Sequence, residues 1–296
     1  MSTETNHQAV EDEALEARIL CVLPKLTSKQ HRLARALLDN ELFVAFASAQ
    51  DLGRRAGVDA ATVVRFSRLL GYDGYADLRA SVRRRVPQFL TAVERVKSNM
   101  QHPERTRDVS TSVFAQDIRN IEETARLNPP ETIAEIVSLL DGADRVFCIG
   151  HGISAFVADH LAHQLTLVGI DALRAPRSVV EGAIAHSSLT KDDVVVVVTV
   201  WRYLLHTLML GQGARAAGVK TIGLTDSKAA PIAAHSDLLL VADTETAELG
   251  HSITALITLS NVLVTGVALA NPERALERLK HIDAFYEQAD VTLDET

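Results

Sequence analysis

Up to about residue 71 the apolar residues recur every three or four positions; beyond about residue 131, helical spacing alternates with short unbroken apolar runs. In "SKQHRLARALLDN", Leu33, Ala34, Leu37 and Leu38 share one helical face behind Ser28, a residue suited to capping. The stretch "SAQDLGRRAG" (48–57) opens with Ser48 and Asp51, the spacing of a capping box, and closes at Gly57. Asp59 then caps a third helix, "AATVVRFSRLL", which stops at Gly71. Two helices separated only by Gly57, Val58 and Asp59 predict a helix-turn-helix, because so short a turn forces a large crossing angle. On the third helix Val63, Phe66 and Leu70 fall together and predict a core face; Ala61, Arg65 and Arg68 fall opposite.

From residue 131 the elements change kind. "TIAEIVSLLDGA" is helical, "RVFCIG" (145–150) a short strand, "ISAFVADHLAHQLTLVG" a helix, and "DALRA" holds another strand. "VVVVVTV" (194–200) is too apolar to have a wet face. A helix closed by Gly218 and two strands, "VKTIGLT" and "SDLLLVAD", follow. This alternation predicts a doubly wound parallel sheet covered on both faces, with ligands at the carboxyl ends of its strands. Residues 87–130 carry Pro87, Pro103, Pro129 and Pro130 around two amphipathic patterns, "FLTAVERVKSNM" and "STSVFAQDIRNIEETARL", and predict a helical connector. The longest apolar stretch, 253–270, is broken by Thr, Ser, Asn and Gly. It reads as a buried or subunit-facing helix rather than a membrane span, and with 272–289 it is a candidate subunit contact.

Charge sharpens this division. The 296 residues carry a net charge of −8, yet residues 25–86 hold twelve Lys or Arg against six Asp or Glu. A module of +6 is thus flanked by −4 in residues 1–24 and −10 in residues 87–296. A basic head on an acidic body fits a polyanion partner. Two unlike cysteines, Cys21 and Cys148, give neither a disulfide framework nor metal spacing. The N-terminus has no signal-peptide pattern, so the cytoplasm is the expected location.

The candidate DNA contacts follow from the helix wheel. Ala60 and Ala61 lie in the first turn of the third helix, where small side chains permit close approach to base edges. Arg65 has the reach and the fork to read a guanine, while Thr62, Arg68, Arg54 and Arg55 are placed for phosphates. Ser48 and Gln50 mark a helix N-terminus whose N–H groups suit a phosphate. The stretch "LGRRAGVDAATVVRFSRLLGYDGYADLR", within residues 26–86, resembles the N-terminal DNA-binding domain of the RpiR family of bacterial transcription regulators. That resemblance implies a second motif helix at 48–56 and a recognition helix at 60–70.

In the C-terminal domain "GHGIS" (150–154) joins a strand to a helix: Gly150 and Gly152 allow a tight turn, and Ser154 opens a helix N-terminus. A dinucleotide fingerprint would need glycine where the chain has Ala155. Residues 131–270 resemble a SIS (sugar isomerase) domain, the partner domain of RpiR regulators, whose first loop G-x-G-x-S is matched by Gly150, Gly152 and Ser154. The run "GARAAGVKTIGLTDSKAAPIAAHSDLLL" (213–240) fits that family as well. The family's hydroxyl-rich loop S-x-S-G-x-T is replaced by "TVWRYLLHT" (199–207), which keeps Thr199 and carries Arg202 at the glycine position. The candidate effector set is Gly150, His151, Gly152, Ser154, Ser178, Thr199, Arg202, Tyr203 and Glu248. A guanidinium at 202 suits a carboxylate or a phosphate; alternatively it pairs internally with Glu181 or Glu248.

Together these readings predict an all-α helix-turn-helix head (25–86) behind an acidic segment (1–24). A helical connector (87–130) joins it to an α/β doubly wound parallel-sheet, SIS-type domain (131–270), with a C-terminal helix and tail (271–296). The expected function is a sequence-specific transcription regulator, a repressor, whose grip on operator DNA is set by a small anionic metabolite. A homodimer or homotetramer without membrane contact, cofactor, metal or catalytic residue is expected. His151, Glu181, Glu248 and His251 all have ordinary structural explanations. The competing readings are a phosphosugar isomerase with an incidental basic head, and a sequence-indifferent nucleoid-type binder.

Overall fold

A computed structural model describes residues 15–39, 41–84, 93, 108–174, 179–246 and 250–289 of the chain. It divides into two compact units, 1–91 and 92–296.

The first unit is all helix: α1 (Leu15–Val22), a 3₁₀ turn (Leu23–Lys25), α2 (Ser28–Asp39), α3 (Glu41–Phe46), α4 (Ala49–Ala56), α5 (Ala60–Leu69) and α6 (Tyr75–Arg84). Leu15, Ile19, Leu33, Leu37, Leu52, Phe66 and Leu78 are fully buried and form its core. The expected turn is present. Ser48 and Asp51 form a reciprocal capping box on α4, and Gly57 ends that helix at φ +66°, a left-handed conformation that a side chain would strain. Asp59 accepts a hydrogen bond from the Thr62 amide to start α5. The sequence places residues 1–24 in an acidic segment outside the head; the structure instead folds Leu15–Val22 into α1. Leu15 and Ile19, one turn apart, are buried there, and four of that segment's five acidic residues lie upstream at Glu4, Glu11, Asp12 and Glu13.

The second unit begins, among the described helices, with α7 (Val109–Leu127) and α8 (Pro130–Asp141). The sheet follows: β1 (Val146–Ile149), α9 (Ser154–Leu167), β2 (Ala172–Arg174), α10 (Val179–Ser187), β3 (Val194–Thr199), α11 (Leu205–Ala216), β4 (Lys220–Thr225), a 3₁₀ turn (Pro231–His235) and β5 (Leu238–Val241). Helices α12 (Thr254–Ala270) and α13 (Pro272–Ala289) complete it. All pairings are parallel and the strand order is β2-β1-β3-β4-β5, the doubly wound sheet the sequence predicts. Central β3 shows why its sequence has no polar alternation. Val194, Val196 and Val198 pack toward α8, α9 and α12, while Val195 and Val197 pack toward α11 and the second 3₁₀ turn. Each such valine contributes roughly 1.5–3 kcal/mol relative to an exposed one.

Arg145 and Asp193 tie the starts of β1 and β3 through two hydrogen bonds of 3.0 and 2.7 Å. Burial opposes the Asp193 charge, but the Arg145 guanidinium and the Thr190 amide and hydroxyl outweigh it and hold the carboxyl below the usual range. The part of the expected connector seen here is not a spacer. Helix α7 packs on α12 and β5 and belongs to the second unit. The other expected connector helix, over 89–100, lies outside the described residues except for Val93.

Candidate functional site

In the head, α5 separates its faces as its wheel requires. Val63, Phe66 and Leu70 are buried, while Ala61, Arg65 and Arg68 are exposed, with Ala60 and Thr62 half-buried at the edge. Arg65 does not hang free. Its Nη2 donates to the Thr62 hydroxyl (3.0 Å), and that hydroxyl donates to Asp59 Oδ2 (2.9 Å). The Thr62 amide and hydroxyl hold the Asp59 carboxyl below its ordinary range, so the relay ends on a charged acceptor. Thr62, expected to face phosphate, is therefore also the tether of Arg65. Ser48 is exposed, but its hydroxyl is spent on the cap: it donates to Asp51 Oδ2 (2.5 Å) and accepts from the Asp51 amide (3.1 Å). Gln50 remains exposed beside it. Arg54 pairs with Asp51, the Arg55 guanidinium lies over the Phe43 ring, 4.7 Å from its centroid, and Arg68 Nε donates to the Asp73 carbonyl (3.2 Å).

Other arginines of the head serve the backbone. A helix leaves its last carbonyls without partners, and here arginines from neighbouring helices supply them. Arg18 of α1 donates to the Leu70 and Gly71 carbonyls at the end of α5 (3.2 and 3.4 Å) and stacks on the Tyr72 ring. Arg32 of α2 serves the Ala56 and Gly57 carbonyls at the end of α4 (3.0 and 3.3 Å). Arg83 and Arg79 of α6 serve the carbonyls of Ala45, in the last turn of α3, and Ala47, just after it (2.6 and 3.4 Å), and the Tyr75 hydroxyl joins at Ala47 (3.0 Å). Burial pushes the Tyr75 phenol up to about 12 and lowers Arg83, whose charge Arg79 also opposes. Sequence reasoning missed this role, since the acceptors are main-chain atoms.

In the second unit the predicted residues gather at the carboxyl ends of β1 and β3. Gly150 is forced by space: a Cβ there would lie 2.5 Å from the Ser154 carbonyl oxygen. Ser154 is buried and its Oγ accepts from the Val200 amide (3.3 Å), which ties the first loop to the second. Thr199 is buried at the end of β3, and its carbonyl accepts from the Thr225 hydroxyl (2.7 Å). Asp226, at the end of β4, grips the second loop on both sides of Arg202. Its Oδ2 accepts from the Trp201 amide (2.9 Å) and its Oδ1 from the Tyr203 hydroxyl (2.7 Å). Burial raises the Asp226 carboxyl above its ordinary value despite those donors; burial and the neighbouring Asp226 likewise raise Tyr203. Arg202 itself is exposed and in no ion pair with a described residue.

His151 Nδ1 lies 2.9 Å from the Thr207 hydroxyl, and its ring centroid is 4.5 Å from that of His206. Ser178 and Glu248 lie outside the described residues. Asp226, His206 and Thr207 were not singled out by sequence. The signal available was position alone, since Asp226 directly follows the last residue of a predicted strand.

A third feature is an apolar groove of about 950 Å³ between α7, α8 and α12, lined by Ile121, Ile133, Val137, Val262 and Leu269 among others. Among the described residues no single helix is long and apolar enough to cross a membrane.

A helix-turn-helix with an exposed basic face, on a chain that also carries a five-stranded parallel α/β domain, defines a DNA-binding transcription regulator. The helix-turn-helix domain of the rpiR family matches residues 14–88 and the SIS domain matches residues 139–270. The chain belongs to the RpiR family of HTH-type transcription regulators. The sugar isomerase domain of an RpiR transcription factor from Sphaerobacter thermophilus is 35% identical, with a TM-score of 0.59 over 60% of this chain and 99% of that one. An uncharacterised HTH-type transcriptional regulator in the aarA 3′ region of Providencia stuartii is 30% identical over 186 residues, 62% of this chain and 64% of that protein's length. The Vibrio vulnificus NanR protein complexed with ManNAc-6P shares the fold, at 23% identity and a TM-score of 0.66 over 93% of this chain and 99% of that one.

The arginine caps are open to test. Arg18→Ala should cost about 1–2 kcal/mol, because the carbonyls that end α5 lose a charged donor, read as a lower urea midpoint of the head's transition. Arg18→Lys should recover little of it, since an ammonium lacks the fork. An unchanged midpoint in Arg18→Ala would mean that water serves those carbonyls equally well.

Proposed function

We propose that this regulator is a repressor that reads its operator through α5 and releases or tightens it when a small anion binds beside Arg202. The observation that carries the reading is the exposed Ala61–Arg65–Arg68 face set directly behind the Gly57 turn. Its first turn suits close approach to base edges, and the tethered Arg65 is the base reader. Arg68, Arg54, Arg55, Thr62, Ser48 and Gln50 surround it as phosphate contacts, with Ser48 acting through the helix end that it caps. Such a protein works on the chromosome, in the cytoplasm. Arg65→Ala should lose about 1–3 kcal/mol on DNA from the gene's own upstream region and almost nothing on scrambled DNA. Arg68→Ala should weaken both alike and reduce the salt slope by about one. Fluorescence anisotropy at several salt concentrations reads both; equal losses on the two DNAs from Arg65→Ala would remove it as a base reader.

The effector reading rests on Arg202, held outward between two neighbours that Asp226 fixes, with Gly150, His151 and Gly152 across from it on the first loop. NanR's complex with ManNAc-6P makes a phosphosugar one candidate. A carboxylate is the other, because Thr199 and Ser154 are buried, the cradle positions between Thr199 and Tyr203 are Val200, Trp201 and Arg202, and a guanidinium pairs with either anion. The same replacement disfavours an isomerase, which needs the sugar held by hydroxyls and an acid or base beside it. A thermal-shift panel of phosphosugars and small carboxylates identifies the class. Arg202→Ala should then weaken the best binder by about 1.5–3 kcal/mol in calorimetric titration, and unchanged affinity would exclude Arg202 from the site.

The groove beside α12 fits a second copy of this chain, since α13 carries an exposed apolar stripe of Leu276, Leu279 and Tyr286 with which a twin can fill it. A two-fold assembly would bring two recognition helices to a palindromic operator. Val262→Asp, at the groove's edge, should convert the assembly to monomers in light scattering; an unchanged mass would place the interface elsewhere.

A further inference from the structure

The strand ends that carry the Arg202 loop are linked, bond by bond, to one helix. Asp226 holds the Trp201 amide and the Tyr203 hydroxyl (2.9 and 2.7 Å). Its neighbour Thr225 accepts the Ala242 amide on its carbonyl (2.8 Å), which joins the end of β4 to the end of β5. There α7 takes over. The Asn128 side chain mimics a peptide group against Val241, accepting its amide (2.9 Å) and donating to its carbonyl (2.7 Å). Thr124 Oγ1 accepts the Asp243 amide (2.9 Å) and Asn120 Nδ2 donates to the Glu245 carbonyl (2.7 Å). Asp117 accepts the Ser252 and Thr254 hydroxyls (2.5 and 2.8 Å).

Positions 117, 120 and 124 are spaced three and four residues apart and form one stripe of α7, which Asn128, capping the helix, continues. Asn120, Thr124 and Asn128 are buried. An apolar stripe would have packed a helix here at less desolvation cost. A buried polar stripe fixes one register, because any displacement strands several backbone groups together.

We propose that α7 is the output element of the effector site. Displacement of the Trp201–Tyr203 loop is passed through Asp226 and the Thr225–Ala242 bond to the polar stripe. Of the second unit's described helices α7 stands first in the chain, next in sequence after the DNA-reading head, which makes it the element whose position that head would report. The inference rests on the reading of that loop as the effector contact and adds the route by which it acts. Asp226, Asn120 and Asn128 are positioning residues in it: none need touch effector or DNA. Because these bonds would be lost together, a displaced α7 would occupy a second discrete arrangement rather than a continuum, which is what a switch requires.

The test needs no knowledge of the effector. Hydrogen exchange by mass spectrometry is followed on the full chain for wild type, for Tyr203→Phe, which removes only the hydroxyl bonded to Asp226, and for Asp226→Asn as a stronger perturbation. Amides of 117–128 and 238–246 should exchange about fivefold faster or more in both variants, with α13 unchanged as the internal control. Exchange that changes only within 199–227 overturns the proposal. In the second arm, anisotropy on the upstream DNA measures whether Tyr203→Phe shifts affinity, in wild type and in an Asn120→Ala background. A shift of about threefold or more that vanishes in Asn120→Ala supports α7 as the output. A shift that persists unchanged there, or no shift in either background, overturns it. Failure of the effector reading appears separately, as unchanged ligand affinity in Arg202→Ala.

Discussion

A buried main-chain carbonyl or amide without a partner costs about 1–3 kcal/mol, and both units are arranged around avoiding that cost where regular structure stops. In the head the sites of danger are the ends of α3, α4 and α5, where short helices turn sharply and leave their last carbonyls part-buried. Arg83, Arg32 and Arg18 reach across from α6, α2 and α1 to close them. In the second unit the corresponding weakness is β5, the last strand of the sheet. Among the described residues no further strand continues the ladder beyond it, and Thr124 of α7 and Asn128, which caps that helix, bond to its end in place of one.

This changes what the charge of the head means. A count of +6 over residues 25–86 is correct as arithmetic but overstates the electrostatic footprint available to DNA. Arg32, Arg79 and Arg83 are committed to carbonyls of the head itself. Under the proposed reading, the surface offered to DNA is defined less by the sum of charge than by which guanidiniums face outward, with Arg65 and Arg68 at its centre. Salt dependence reports the phosphates that are neutralised, so it follows this smaller set.

Much of the architecture was legible because its signals are local. The capping box at Ser48 and Asp51, the left-handed Gly57 and the wheel of α5 each depend on residues within a turn of one another. The run of valines in β3 announces a strand covered on both sides. What escaped were relations between distant positions whose partners have no identity in sequence. Arg18 reads as an isolated basic residue in an acidic stretch, since the Leu70 carbonyl it serves belongs equally to any residue. The polar stripe of α7 reads as the wet side of a connector helix, and only the position of β5 shows that Asn120, Thr124 and Asn128 face inward. Asp226 carries no motif of its own. Its importance comes from standing one residue past a strand, opposite a loop that departs from its family.

The relay from Asp59 through Thr62 to Arg65 bears on how such a head acquires new targets. If Arg65 is the base reader proposed above, its guanidinium has surrendered part of its rotamer freedom before it meets a base, so less is lost on binding. The same tether makes the three positions one unit. A new side chain at 65 inherits a threonine hydroxyl and a carboxylate arranged for an arginine, and a change at 62 or 59 releases the reader. Operator preference in this lineage should therefore drift by coordinated changes at 59, 62 and 65, and related heads that share Arg65 should share its anchor as well.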